Sequence, residues 1–81
     1  MEIREEAVQT LIEKAVRLMG LNAEELGEDT RFKEDLSCTS MNIVQFSAAL
    51  EEQFDVEVPY MELARRKTFG EAGDLMEELL G

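Results

Sequence analysis

Apolar residues recur at three- and four-residue spacing along the first twenty positions: Ile3, Ala7, Leu11, Ile12, Ala15, Leu18 and Met19, with Arg4, Glu5, Glu13, Lys14 and Arg17 mostly between them. That period predicts an amphipathic helix, and Gly20 predicts its end. From Leu21 to Ser37 the periodicity fades. Asn22 suits the cap of a single turn through Leu26, while Phe32 and Leu36 are apolar anchors able to pin a long connection onto helices. A second helix is predicted from about Ser40 to Phe54, with Ile43, Val44, Ser47, Leu50 and Phe54 on or near one face and Asp55 closing it. Val56-Glu57-Val58 alternates like a strand. No second strand candidate exists to pair with it, so its backbone groups would go unpaired, and the reading is an extended connector. Pro59 then suits the start of a short helix, Tyr60 to Arg66. Thr68 offers an N-cap for a last helix whose stripe is Phe69, Ala72, Leu75, Met76, Leu79 and Leu80, with Gly70 and Gly73 weakening its first turns.

The expected fold class is therefore all-α: a small four-helix bundle of three main helices plus one short helix, with a long loop between the first and second helices. The 81 residues are read as one domain with one modest core.

Composition narrows the chemistry. Hydrophobic residues make up 44% of the chain, so a net charge of −11 does not signal disorder, although carboxylate repulsion opposes compaction at low salt. A pI near 4.2 disfavours nucleic acid and anionic membrane surfaces as partners, because those are met by Lys and Arg. No apolar run reaches spanning length, and MEIREEAVQT lacks the layout of a signal peptide. With one cysteine fitting a reducing compartment, the expectation is a soluble, cytoplasmic monomer. The chain has no histidine, which removes Ser-His-Asp and Cys-His nucleophile activation and His-containing zinc sites. The acidic stretch EDTRFKED lacks the alternating ligands and turn glycine of a calcium loop. Neither an enzyme nor a metal protein is expected.

The residues Ser37 to Leu50 carry no charge, and acids lie on both sides: Glu28, Asp29, Glu34 and Asp35 before, Glu51, Glu52, Asp55 and Glu57 after. An uncharged helix start with an acidic rim suits a docking surface. At that start stand Ser37, Cys38, Thr39 and Ser40. Ser and Thr are preferred N-caps, so the structural reading is ample for any of them, and the residues three beyond Thr39 and Ser40, Asn42 and Ile43, do not complete a Glu/Gln capping box. The functional reading is that free N–H groups and the positive dipole end of a helix suit an attached phosphate.

The stretch EDLSCTSMNIVQFSAALEEQFDVEVP resembles the acyl carrier protein family, whose motif is an acidic-Leu lead-in, Asp-Ser-Leu, a helix ending in Glu-Glu-x-Phe, and a valine- or isoleucine-rich connector to Pro. Here these are Glu34-Asp35-Leu36, Thr39-Ser40-Met41, Leu50 to Phe54, and Asp55 to Pro59. The resemblance implies that Ser40 carries 4′-phosphopantetheine from coenzyme A, with Thr39 and Met41 flanking it. It implies a carrier, not a catalyst, holding acyl groups as thioesters for fatty-acid, polyketide or related pathways. The implied partners are a phosphopantetheinyl transferase and acyl-transferring or condensing enzymes with basic docking patches, met by Asn42, Gln45, Glu51 and Glu52. A carrier-fold interaction protein that is never modified is the alternative.

The departures from the family pattern matter. Thr39 stands where Asp is usual, which removes a charge used by the attaching transferase. Asn42 and Gln45 stand where many members have acids, which points to a narrowed partner set. Phe46-Ser47 replaces two aliphatic residues. Ser47 either lines a space for a short or polar acyl chain, its hydroxyl bonded to a backbone carbonyl, or fills a tight helix contact. Met41, Met61 and Met76 read as an adaptable lining or as plain core filler. Cys38 reads as a loop-ending residue, lacking the electropositive setting of a reactive thiol. Arg65-Arg66-Lys67 reads as charge complementing a helix C-terminus, or as a contact for the arm's phosphate or an acidic patch on a partner.

Overall fold

A computed structural model describes residues 2–81. The order is α1 (Ile3–Met19), a 3₁₀ turn (Ala23–Glu25), α2 (Ser40–Phe54), α3 (Tyr60–Ala64) and α4 (Phe69–Leu80), the three long helices and one short helix expected. Among the described residues no helix is long and apolar enough to cross a membrane.

Local chemistry explains the boundaries. Gly20 takes a left-handed φ of 67° and donates its N–H to the Val16 carbonyl at 3.0 Å, ending α1. Asn22 caps the 3₁₀ turn by accepting from Glu24 N–H. Asp55, at φ 53°, closes α2 by donating to Glu51 O at 2.8 Å. Thr68 caps α4 by accepting the Glu71 N–H at 3.1 Å. The short helix stops at Ala64, with Arg65 as its C-cap, two residues before the expected end at Arg66.

The core joins Ala7, Leu11 and Ala15 of α1, Ile43, Phe46 and Leu50 of α2, Leu63 of α3, and Phe69, Ala72, Leu75 and Met76 of α4, with Phe32 and Val58 from the connections. Two stripes differ from expectation. Val44 is 48% exposed and Phe46 takes its place inward, because the stripe through 43, 47, 50 and 54 is centred on the side of Phe46 at 100° per residue. Leu79 and Leu80 are exposed because α4 continues past the packed region. Phe32 anchors the long loop, with its ring 5.5 Å from Phe46 and 5.0 Å from Phe69. Such aromatic pairs each add about 0.5–1.5 kcal/mol beyond area burial.

Gly70 and Gly73 permit close approach. A Cβ on Gly73 would sit 2.8 Å from Arg4 Cγ and 3.0 Å from Arg4 O, and one on Gly70 would sit 2.6 Å from Arg4 Nη2 and 3.0 Å from Glu28 O. Their low helix propensity is offset by letting α4 lie directly on α1, where Arg4 Nε donates to Asp74 Oδ1 at 2.7 Å. The Val56–Val58 segment pairs with no strand, and the Val58 N–H donates instead to Glu51 Oε2 at 2.8 Å.

Candidate functional site at the start of the second helix

The four candidates at the head of α2 have different duties. Ser37 turns the chain, at φ 52°. Cys38 donates its N–H to Phe32 O at 3.0 Å, its side chain is half-buried, and burial pushes its thiol pKa up. A protonated thiol is a poor nucleophile. Thr39 is the N-cap: its Oγ1 accepts the Asn42 N–H at 3.2 Å, and Asn42 Oδ1 accepts the Thr39 N–H at 3.0 Å. This reciprocal pair is a capping box with Asn in place of Glu or Gln, contrary to the expectation that none forms. Thr39 holds the extended conformation usual for an N-cap, φ −90° and ψ 174°, and the short Asn side chain reaches its N–H there.

Ser40 is the first residue of α2, exposed, and its hydroxyl makes no hydrogen bond to another described residue. With Thr39 doing the capping, the Ser40 oxygen stands uncommitted at the positive end of a fifteen-residue helix. It opens onto a cleft of about 590 Å³ whose floor includes Phe32, Cys38, Ile43 and Ala64. Lys33, Arg65, Arg66 and Lys67 also line that cleft, with Glu34 the one acid among its walls. The basic run thus shares the Ser40 site, together with Lys33, whose role no local pattern in the sequence signals.

Backbone bonds explain the convergence. The Phe32 N–H donates to Lys67 O at 3.0 Å, the Phe69 N–H donates to Thr30 O at 3.0 Å, and an isolated antiparallel bridge pairs Arg31 with Thr68. Phe32 O in turn accepts from Cys38. One residue, Phe32, therefore ties the long loop to the segment before α4 through its N–H and to the head of α2 through its carbonyl.

The remaining predicted site residues spread over α2. Met41 is 64% exposed beside Ser40. Asn42 Nδ2 donates to Gln45 Oε1 at 3.2 Å, so the two amides form one chain with the Thr39 cap. Glu51 is half-buried on the Val58 N–H, and of the paired acids only Glu52 is exposed. Ser47 is buried at 6% exposure, lies outside the Ser40 cleft, and its Oγ has no hydrogen-bond partner among the described residues. The expected bond to a carbonyl is absent, which corresponds to the tight-contact reading. Met76 is core, whereas Met61 is 60% exposed, so the three methionines do not form a common lining.

The site fits a phosphate-linked group. A free hydroxyl stands at a helix N-terminus, no carboxylate lies between Ser37 and Leu50, and cations line the adjoining cleft. Comparisons with known proteins agree. A family model described as the phosphopantetheine attachment site matches residues 9–76. The chain is 34% identical over 67 residues to an acyl carrier protein of Sulfurovum sp., covering 83% of this chain and 89% of that one. It is 37% identical over 59 residues to the acyl carrier protein of Wolinella succinogenes, covering 73% and 78%. A third, from Rubrobacter xylanophilus, is 33% identical over 75 residues, covering 93% of each chain. The chain belongs to the acyl carrier protein family, and the group it carries is covalently attached 4′-phosphopantetheine.

Proposed function

We propose that Ser40 is the attachment residue and that this chain, as one domain over residues 1–81, carries acyl groups between cytoplasmic enzymes of fatty-acid, polyketide or related synthesis. The observation that supports Ser40 most is the division of labour at the helix head: Thr39 caps, Cys38 is half-buried and protonated, Ser37 turns the chain, and the Ser40 oxygen remains free. In the loading step Ser40 Oγ bonds to the phosphorus bearing pantetheine. The pyrophosphate bond of coenzyme A breaks, adenosine 3′,5′-bisphosphate leaves, and the hydroxyl proton passes to a base of the transferase. The chain has no histidine to serve as that base. When bound, the arm supplies a thiol that holds an acyl group as an activated thioester.

What the chain contributes is position and recognition. The α2 dipole and its first N–H groups stabilise the phosphodiester charge at Ser40. Met41 and Val44 on α2, and Tyr60 and Met61 on the adjoining α3, present exposed apolar area beside Ser40. Asn42 and Gln45 are neutral and bonded to each other, and Glu51 is turned inward, which leaves Glu52 as the exposed carboxylate of the predicted docking set. Partner enzymes therefore meet a mainly apolar face with acids at its rim, and generic attraction to basic patches is reduced.

The test is incubation with coenzyme A and a panel of phosphopantetheinyl transferases, read by intact mass. The expected result is a gain of one phosphopantetheine that is absent in Ser40→Ala and retained in Ser37→Ala and Cys38→Ser. No gain with any transferase, and none in protein purified from its native source, would favour the unmodified interaction protein instead.

A further inference from the structure

Half of the cations of this acidic chain line one cleft. Of eight Lys and Arg residues against nineteen acids, Lys33, Arg65, Arg66 and Lys67 all border the cleft at Ser40, with Glu34 as the single acid. The end of α3 accounts for little of this. That helix has five residues, only Arg65 caps it, and Lys33 comes from the long loop. Two of the four are engaged elsewhere: Arg65 pairs with Glu62 at 3.6 Å, and Arg66 reaches Glu78 and the Glu71 carbonyl at 3.4 Å. Lys33 and Lys67 make no ion pair among the described residues. The Phe32–Lys67 and Cys38–Phe32 backbone bonds hold the segments bearing them against the head of α2.

We propose that Lys33 and Lys67, backed by Arg65, form a cationic clasp for the phosphodiester of the Ser40-linked arm, biasing the arm toward the cleft between the long loop and α3. The inference rests on Ser40 being the attachment residue. A phosphodiester bears one permanent negative charge, and covalent attachment holds it at the mouth of the cleft at high effective concentration. An acidic partner surface is the weaker candidate for these cations, because it would have to approach a chain of net charge −11. A charge tethered inside the molecule incurs no such approach cost. The clasp also offsets part of the self-repulsion of the carboxylates by giving the surplus cations an anion of their own.

The experiment compares the melting temperatures of the unloaded and loaded forms in wild type, Lys33→Gln/Lys67→Gln and Lys33→Arg/Lys67→Arg, alongside the ³¹P resonance of each loaded protein. Subtracting unloaded from loaded within each variant cancels what the substitutions do to the fold itself. In wild type at low salt, loading raises the melting temperature by about 2–6 °C. The Gln pair loses most of that increment and shifts the ³¹P resonance, and the Arg pair keeps both near wild type. Salt near 1 M, where the screening length falls to about 3 Å, shrinks the wild-type increment toward that of the Gln pair. Equal increments and equal ³¹P shifts in all three proteins overturn the clasp. If the Gln pair then also slows acyl transfer with partner enzymes, the cations serve a protein partner instead. Failure of every variant to load overturns the attachment reading and the clasp with it, so the two failures are distinguishable by mass alone.

Discussion

The Thr39 hydroxyl oxygen accepts the Asn42 backbone N–H at 3.2 Å while the Asn42 side-chain oxygen accepts the Thr39 backbone N–H at 3.0 Å. This pairing separates the residue that caps α2 from the residue that is free to be modified. Thr39→Ala is expected to cost about 1 kcal/mol of stability. Asn42→Ala removes the same box from the other side, so the double variant should lose less than the sum of the singles in denaturant titrations. Thr39→Asp keeps an N-cap and restores the charge usual in the family. It should retain wild-type stability and speed modification by a broad-range transferase, and an unchanged rate would refute missing charge as the consequence of Thr39.

Ser47 gives a stability prediction of opposite sign. Its buried hydroxyl has no partner among the described residues, and an unsatisfied polar group inside a protein is unfavourable. Ser47→Ala should leave stability unchanged or raise it by up to about 1 kcal/mol. A loss greater than that in thermal or urea unfolding would mean the hydroxyl is bonded in solution.

The long loop carries a pH-dependent contact. Hydrogen bonds from the Arg31 guanidinium and from the Arg31 backbone N–H at 2.8 Å hold the Asp35 carboxyl below its ordinary pKa of 3.8. A carboxylate with a lowered folded pKa stabilises the fold above its unfolded value, and that contribution disappears as pH falls through the folded one. The melting temperature of wild type should therefore exceed that of Asp35→Asn at neutral pH. The gap should hold down to about pH 4 and close below it. A gap independent of pH would show that the Asn variant disturbs the loop by other means.

Cys38 provides a check on the head of α2. With its thiol pKa raised by burial, alkylation by iodoacetamide at mildly alkaline pH should be several-fold slower in the folded chain than in the urea-unfolded chain. In loaded protein the arm's thiol should react first. Fast alkylation of folded, unloaded protein would contradict the protonated, half-buried thiol.

The helices were legible in the sequence because their signals are local. Gly20, Asn22, Asp55 and Thr68 each mark an end through their own backbone or side-chain chemistry, within four residues of the groups they satisfy. Phase was less legible: Val44 and Phe46 are both apolar and flank the stripe through 43, 47, 50 and 54, and Phe46, nearer its centre, is the one packed against Phe32 and Phe69. Contacts between distant segments were not legible at all. Nothing around Glu51 announces that it serves the Val58 N–H, and nothing around Lys33 announces that the Phe32–Lys67 bond brings it to the cleft beside Ser40. At the site itself, local physics left Ser37, Cys38, Thr39 and Ser40 as alternatives. The resemblance selected Ser40, and the geometry gave the other three their own duties.

The central claim is that the arm resides on Ser40. Intact-mass measurement after loading from coenzyme A, followed by peptide mapping of the modified segment, tests it most directly. One phosphopantetheine is expected, located on Ser40 and lost in Ser40→Ala. A modified Ser40→Ala protein, or an arm mapped to Ser37, Cys38 or Thr39, would contradict it.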